Sequence, residues 1–225
     1  MKVFISRKLS EHSIFKEKLS SKGVEVIDES LLEFSPLNFE IPQNFDWIFF
    51  YSKNGVEFFF QKKIVLSSNV KLAAIGAATA DVIFKHSGLK ADFIGDGIPE
   101  TTAEAFKKIA AEKTVLFVRA EASKKSIQQI LINELNVLEL IVYKNVPKND
   151  FPKSDANILL FTSSLNAEAY LKKYPLDSNQ QLAAIGKPTA ETLMAMGYTE
   201  VYIADSPDEN ALSNLILKIS ENNKP

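Results

Sequence analysis

The pentapeptide Leu72-Ala73-Ala74-Ile75-Gly76 recurs letter for letter as Leu182-Ala183-Ala184-Ile185-Gly186, and in each copy a Thr-Ala pair begins three positions after the glycine. Self-similarity at a long fixed spacing is the sequence mark of duplication and restricts the fold more than any single motif. The match is wider than the pentapeptide. Ile48-Phe49-Phe50-Tyr51-Ser52 corresponds to Leu159-Leu160-Phe161-Thr162-Ser163, Val3-Phe4-Ile5-Ser6-Arg7 to Val115-Leu116-Phe117-Val118-Arg119, and Gly88 to Gly197, all shifted by about 110 residues. Two copies of one unit therefore account for nearly the whole chain.

Each copy alternates strand-like and helix-like segments. Apolar runs at 2–6, 24–28, 46–51, 71–75, 92–94, 114–118, 137–143, 157–161, 182–185 and 201–204 read as ten strands, five per domain. Between them, 11–21 places Ile14, Phe15 and Leu19 at helical spacing, and 123–135 does the same with Ile127, Ile130, Leu131 and Leu135. Strand and helix alternating on this scale predict an α/β protein with parallel sheets covered on both faces. The order of units permits two partitions: a simple tandem cut near residue 112, or a crossed arrangement. In the latter the chain passes between domains in the extended segments 24–37 and 137–147, which lead to Pro36 and Pro147.

Composition narrows the function classes. At 225 residues, 46% hydrophobic and 24% charged, the chain has apolar content for real cores, and no apolar run approaches membrane-spanning length. The N-terminal segment lacks the pattern of a secretory signal. The absence of cysteine excludes disulfides, thiolate metal sites and Cys nucleophiles, and is compatible with a reducing cytosol. A net charge of −2, with 26 basic residues scattered among 28 acidic ones, leaves no basic stripe for nucleic acid. With two histidines, neither a His-based metal site nor a Ser-His-Asp triad is expected, and phosphate-binding glycine motifs are missing. Phe58-Phe59-Phe60 reads as a core-facing helix segment, and Lys107-Lys108, Lys124-Lys125 and Lys172-Lys173 as solvated faces.

In parallel α/β sheets, ligands bind beyond the carboxyl ends of the strands, where helix N-termini attract anions. The candidate loops are thus Tyr51-Ser52-Lys53-Asn54-Gly55, its counterpart Thr162-Ser163-Ser164-Leu165-Asn166, and the Gly76–Thr79 and Gly186–Thr189 turns. Their hydroxyls serve equally as helix caps or as ligand contacts. Asp96-Gly97 and Asp205-Ser206-Pro207 read as helix entries. Symmetry favours contacts, since four hydroxyl-rich helix starts from two domains are expected to face one cleft.

The ordered strings Asp46–Val56, Val115–Arg119, Val142-Tyr143, Leu160–Ser163 and Ala184–Ala190 resemble the landmarks of the uroporphyrinogen-III synthase family, from Lys2 to about Leu217. The resemblance implies two flavodoxin-like α/β domains joined by a two-stranded linker. It selects the crossed partition, with 1–37 plus 148–225 as one domain and 38–147 inserted. It also implies cyclisation of the linear tetrapyrrole hydroxymethylbilane, with inversion of its last ring, to uroporphyrinogen III, and no metal or organic cofactor. The implied enzyme is a cytoplasmic monomer whose partner is the small-molecule substrate, without nucleic acid or membrane. Carried onto this chain, the family's tyrosine falls on Tyr143, assisting departure of the substrate hydroxyl. Ser52, Thr79, Ser163 and Thr189 become carboxylate binders, with Arg7 and Arg119 adding charge. Ser6-Arg7-Lys8, Tyr51 and Ala120 depart from common bacterial patterns. A non-catalytic two-lobed binding or sensor protein is the competing reading, because fold does not fix function.

Overall fold

A computed structural model describes residues 1–123 and 125–222. Lys124, expected on a solvated helix face, lies outside the described residues. The chain divides into two compact units: a split unit of Met1–Glu33 with Val146–Pro225, and a continuous unit of Phe34–Asn145.

The split unit carries β1 (Lys2–Ile5), α1 (Ile14–Ser20) and β2 (Glu25–Asp28), then β9 (Ile158–Phe161), α6 (Ser164–Lys173), β10 (Gln181–Ala184), α7 (Lys187–Ala195), β11 (Val201–Ile203) and α8 (Glu209–Asn222). Its five strands form one parallel sheet in the order β11-β10-β9-β1-β2. Counted in chain order within the unit this is 2-1-3-4-5, the doubly wound flavodoxin arrangement. Period-two alternation sorts the strand residues to two buried faces. Val3, Ile5, Ile158, Leu160 and Ala183 pack with Phe15 and Leu19 of α1 and Leu212, Ile216 and Ile219 of α8. Phe4, Leu159, Phe161, Leu182 and Ala184 pack on the other side with Ala167 and Tyr170 of α6 and Ala190 and Leu193 of α7.

The continuous unit repeats the plan from a permuted start. It contains β3 (Leu32–Pro36, which begins two residues before the division), β4 (Trp47–Phe50), α2 (Lys53–Phe60), β5 (Lys71–Ala74), α3 (Ala77–Ser87), β6 (Phe93–Ile94), α4 (Pro99–Ala110), β7 (Thr114–Ala120), α5 (Ser126–Leu131) and β8 (Asn136–Pro147). The sheet order is β3-β8-β7-β4-β5-β6, parallel from β8 to β6. With β7 taken as the first strand, β8-β7-β4-β5-β6 is again 2-1-3-4-5. Helices α2 and α3 cover Ile48, Phe50, Leu72 and Leu116 on one face. Helices α4 and α5 cover Phe49, Ala73, Val115 and Phe117 on the other. Phe49, Phe106 and Phe117 are fully buried, each contributing roughly 1.5–3 kcal/mol of transfer free energy.

Three expectations need correction. The continuous unit has a sixth strand: residues 32–36 join the sheet beside β8 rather than trailing from the preceding strand as an extended segment. The two helices expected at 11–21 and 123–135 are shorter, and Ile14 and Ile130 are exposed, because only the Phe15/Leu19 and Ile127/Leu131 stripes meet a sheet. Helix entry before α8 is made by Asp208, which accepts the Ala211 N–H and the Ser206 hydroxyl, and not by Asp205. Asp96 does occupy the entry to α4, accepting from the Ile98 N–H and the hydroxyls of Thr101 and Thr102.

Candidate active site

In each unit the switch point, where successive connections leave in opposite directions, lies between the first and third strands of the 2-1-3-4-5 order. In the continuous unit that is between β7 and β4, and the candidate residues gather at the carboxyl ends of these strands. The chain leaves β4 through Tyr51 and reaches Ser52 in extended conformation (φ −161°), so the serine N-caps α2 and accepts the Gly55 N–H at 3.1 Å. The same Oγ lies 3.1 Å from the Tyr143 hydroxyl. With one acceptor direction used by the cap, Ser52 still has a proton to donate and a lone pair to receive the phenolic proton.

Tyr143 comes from β8 and owes its direction to a bulge. Arg119 pairs with Ile141, but the next residue, Ala120, pairs with Tyr143, so β8 holds one extra residue there. Simple alternation from Leu140 and Val142 would send Tyr143 to the opposite face of the sheet. Instead Leu140, Val142 and Tyr143 all belong to the core beneath α2 and α3. The phenol ring stacks on Phe58 (centroids 5.0 Å apart, planes 17° apart) and contacts Phe34 at 6.2 Å. Burial pushes its pKa above the ordinary value of 10, only partly offset by the Ser52 hydrogen bond. The phenol is thus a neutral hydrogen-bond donor throughout the physiological range.

On the other face of the same sheet sits a polar network. Arg119 is buried and donates through Nε (3.2 Å) and Nη2 (2.5 Å) to Glu139 Oε2, and through Nη1 to the carbonyls of Ala120 (2.8 Å) and Glu121 (3.1 Å). Glu139 Oε1 accepts from Gln128 Nε2 at 3.0 Å and pairs with Lys125 at 2.9 Å. Burial raises the Glu139 pKa, but hydrogen bonds from Arg119 and Lys125 outweigh it, and the carboxyl sits below its usual range. Gln128 also donates its backbone N–H to the Tyr51 hydroxyl at 3.0 Å. Burial moves the Tyr51 pKa well upward. Arg119, expected from the sequence to add charge for a ligand, here donates to Glu139 Oε2 and to the Ala120 and Glu121 carbonyls.

Thr79 sits in the third position of α3, behind the N-cap Gly76, and is buried. In the split unit Thr189 has the same place in α7 behind Gly186. Neither threonine is the cap, and no side-chain hydrogen bond of either occurs among the described residues. Ser163 N-caps α6, accepting from the Asn166 N–H at 3.2 Å and from Asn166 Nδ2 at 2.8 Å. Asn166 Oδ1, at the position corresponding to Gly55, is buried without a partner. Arg7 follows β1 and pairs with Glu209 at 3.5 Å, both side chains about 30% exposed. Beside it, Ser6 and Thr162 bridge the switch point by Ser6 Oγ–Thr162 Oγ1 (3.2 Å) and Thr162 N–H to Ser6 Oγ (2.8 Å).

The structure brings Ser52 and Tyr143, which the sequence names separately, into one contact, and adds Gln128 and Glu139, which the sequence does not single out; Asn166 lies in a candidate loop, with its role beside Ser163 visible only in the fold. Glu139 left a signal, a lone carboxylate between Leu138 and Leu140 inside an apolar strand. Gln128 left none, since it reads as an ordinary polar position on a short helix. Among the described residues no group of three or more His, Asp or Glu side chains converges as a metal-binding set. No described helix is long and apolar enough to cross a membrane.

The family model of uroporphyrinogen-III synthase HemD matches residues 13–214. A uroporphyrinogen-III synthase of Synechococcus elongatus is 25% identical, over 97% of this chain and 94% of that protein. A porphyrin biosynthesis protein HemD of Ruminiclostridium josui is also 25% identical, over 98% of this chain, but the match spans only 48% of that longer protein. Among solved structures, the Helicobacter pylori uroporphyrinogen-III synthetase superposes with a TM-score of 0.70 at 24% identity, covering 97% of this chain and 99% of that one. A Thermus thermophilus uroporphyrinogen-III synthase variant gives 0.60 at 16% identity, covering 98% of each. These two likenesses bear on the fold. With the family model spanning almost the entire sequence, the chain belongs to the uroporphyrinogen-III synthase family, cyclising enzymes of porphyrin biosynthesis.

Proposed function

We propose that the chain cyclises hydroxymethylbilane with inversion of ring D, giving uroporphyrinogen III and one molecule of water, in the cytoplasm and as a monomer. The observation that carries the reading is the neutral Tyr143 phenol held 3.1 Å from the Ser52 hydroxyl at the N-terminus of α2. The substrate supplies much of its own reactivity. Electron release from the pyrrole nitrogen breaks the C–O bond of the hydroxymethyl group and leaves an azafulvene. The departing oxygen needs a proton, which Tyr143 provides, so it leaves as water and not as hydroxide.

The substituted carbon of ring D then attacks the azafulvene carbon, forming a spiro intermediate. That intermediate fragments and recloses through the other α-carbon, and the ring proton lost on rearomatisation restores the phenol. A site without a strong base suits this chemistry, because the protein's main task is to orient the flexible chain. Substrate carboxylates are assigned to hydroxyls and free N–H groups at helix starts: Ser52 and Thr79 in the continuous unit, Ser163 and Thr189 in the split unit, with Arg7 adding a charged donor.

Hydroxymethylbilane also closes spontaneously without inversion to uroporphyrinogen I, so the isomer ratio tests the proposal. An excess of the III isomer over the protein-free reaction is expected. A ratio equal to that reaction overturns the enzyme reading and leaves a binding protein of the same fold. Because burial favours the protonated phenol, turnover is expected to hold level from pH 7 to about pH 10 in stopped assays corrected for spontaneous closure.

A further inference from the structure

We propose that Arg119 and Glu139 form a clamp that fixes the β7–β8 bulge and thereby sets the direction of the Tyr143 phenol. Both are positioning residues and neither touches substrate. The inference rests on the reading of Tyr143 as the proton donor and adds what holds that donor in place.

The bulge carries Tyr143 from the Glu139 face to the Ser52 face of the sheet, since Leu138, Leu140 and Val142 already occupy the latter by alternation. A single extra residue in a parallel ladder leaves the pairing locally disrupted, so it needs bonds on both sides to stay in register. Arg119 supplies them. Ahead of the bulge, Nε and Nη2 hold Glu139 on β8. Beyond it, Nη1 holds the carbonyls of Ala120 and Glu121, and the Glu121 N–H donates to the Tyr143 carbonyl at 2.9 Å. The guanidinium therefore ties β8 on either side of the extra residue, directly at Glu139 and through the Glu121 peptide at Tyr143.

The planar fork is what makes this possible. It meets a carboxylate and two backbone carbonyls at once, which a lysine ammonium on a flexible stem does not reproduce. Gln128 and Lys125 satisfy the second carboxylate oxygen, so Glu139 is held from α5 as well as from β7. Among the described residues the split unit has no equivalent: β2 ends at Asp28, and Arg7 pairs with Glu209 of α8 rather than with the neighbouring strand.

The test places 3-fluorotyrosine at position 143 of the full chain and records its fluorine resonance in wild type, Arg119→Lys and Glu139→Gln, alongside kcat and KM for uroporphyrinogen III formation. In both variants the resonance is expected to move or split, and kcat to fall about tenfold with KM within twofold. A purely structural role would lower the unfolding midpoint without moving that resonance in the folded protein. Resonances superimposable on wild type in both folded variants overturn the clamp. A moved resonance with unchanged turnover supports the clamp and counts instead against Tyr143 as the donor.

Discussion

The two units share one plan and differ in what stands at the switch point. In the split unit the strand ends are bridged by the neutral hydroxyls of Ser6 and Thr162, and the nearby Arg7–Glu209 pair is partly exposed. In the continuous unit the same place holds a buried Arg119 paired with a partly exposed Glu139, two desolvated tyrosines and a bulged strand. The duplication preserved the sheet order and both apolar faces, the parts governed by period-two patterning and volume. It did not preserve the polar groups at the strand ends, where packing imposes less. The titratable phenol, and with it the proposed chemistry, belongs to one copy; the other offers helix starts suited to binding.

Removing each arginine is the harshest way to break this comparison. Arg119→Met leaves two carbonyls and one oxygen of a partly exposed carboxylate without their donor and is expected to cost about 3 kcal/mol in urea unfolding. Arg7→Met removes a partly exposed pair and should cost about 0–1 kcal/mol. Equal losses would mean that the two strand ends are built alike after all.

Next comes Asp28, which closes the split unit's second strand. Burial raises its pKa, but hydrogen bonds from Lys16 (2.8 Å) and the Leu9 N–H (2.9 Å), with the charge of Lys8, outweigh this and depress it. A depressed carboxylate stabilises above its unfolded pKa and loses that contribution as pH falls through the folded value. Asp28→Asn is therefore expected to cost about 1–3 kcal/mol at pH 7. It should also flatten the decline in stability below pH 4, read from unfolding midpoints across pH 2–7.

The smallest effects sharpen the contrast between the two caps. Ser52→Ala and Ser163→Ala each lose an N-cap and should cost about 1 kcal/mol in thermal unfolding. Turnover separates them. Ser52→Ala also loses the bond to Tyr143 and should lower kcat, whereas Ser163→Ala should act through KM. Identical kinetic profiles for the two variants would remove the distinction drawn between the units.

Much of the fold was legible because its determinants are periodic. Runs such as Ile158–Phe161 and Trp47–Phe50 are apolar on both faces, as buried parallel strands must be, and the repeated pentapeptide marks the same strand in each copy. The strand at 32–36 was not, since Leu32-Glu33-Phe34-Ser35-Pro36 is short, half polar and ends in proline. Within the site, Ser52 and Ser163 were readable as helix starts from their place after a strand. The bulge at Tyr143 was hidden: an extra residue changes which face a side chain takes without altering composition or length. Gln128 and the partners of Glu139 were hidden for a related reason: Arg119 meets Glu139 only through the register of β7 with β8, and Gln128 reaches Tyr51 and Glu139 only once α5 packs on that sheet.

The central claim is that the Tyr143 phenol hands a proton to the departing hydroxyl. Turnover of hydroxymethylbilane to uroporphyrinogen III by Tyr143→Phe tests it most directly, with the unfolding midpoint measured on the same samples. The account predicts a fall in kcat of about 100-fold, the scale of a lost general acid, with the midpoint close to that of the parent protein. An unchanged kcat in a folded Tyr143→Phe protein would contradict it and return Tyr143 to a packing role between Phe34 and Phe58.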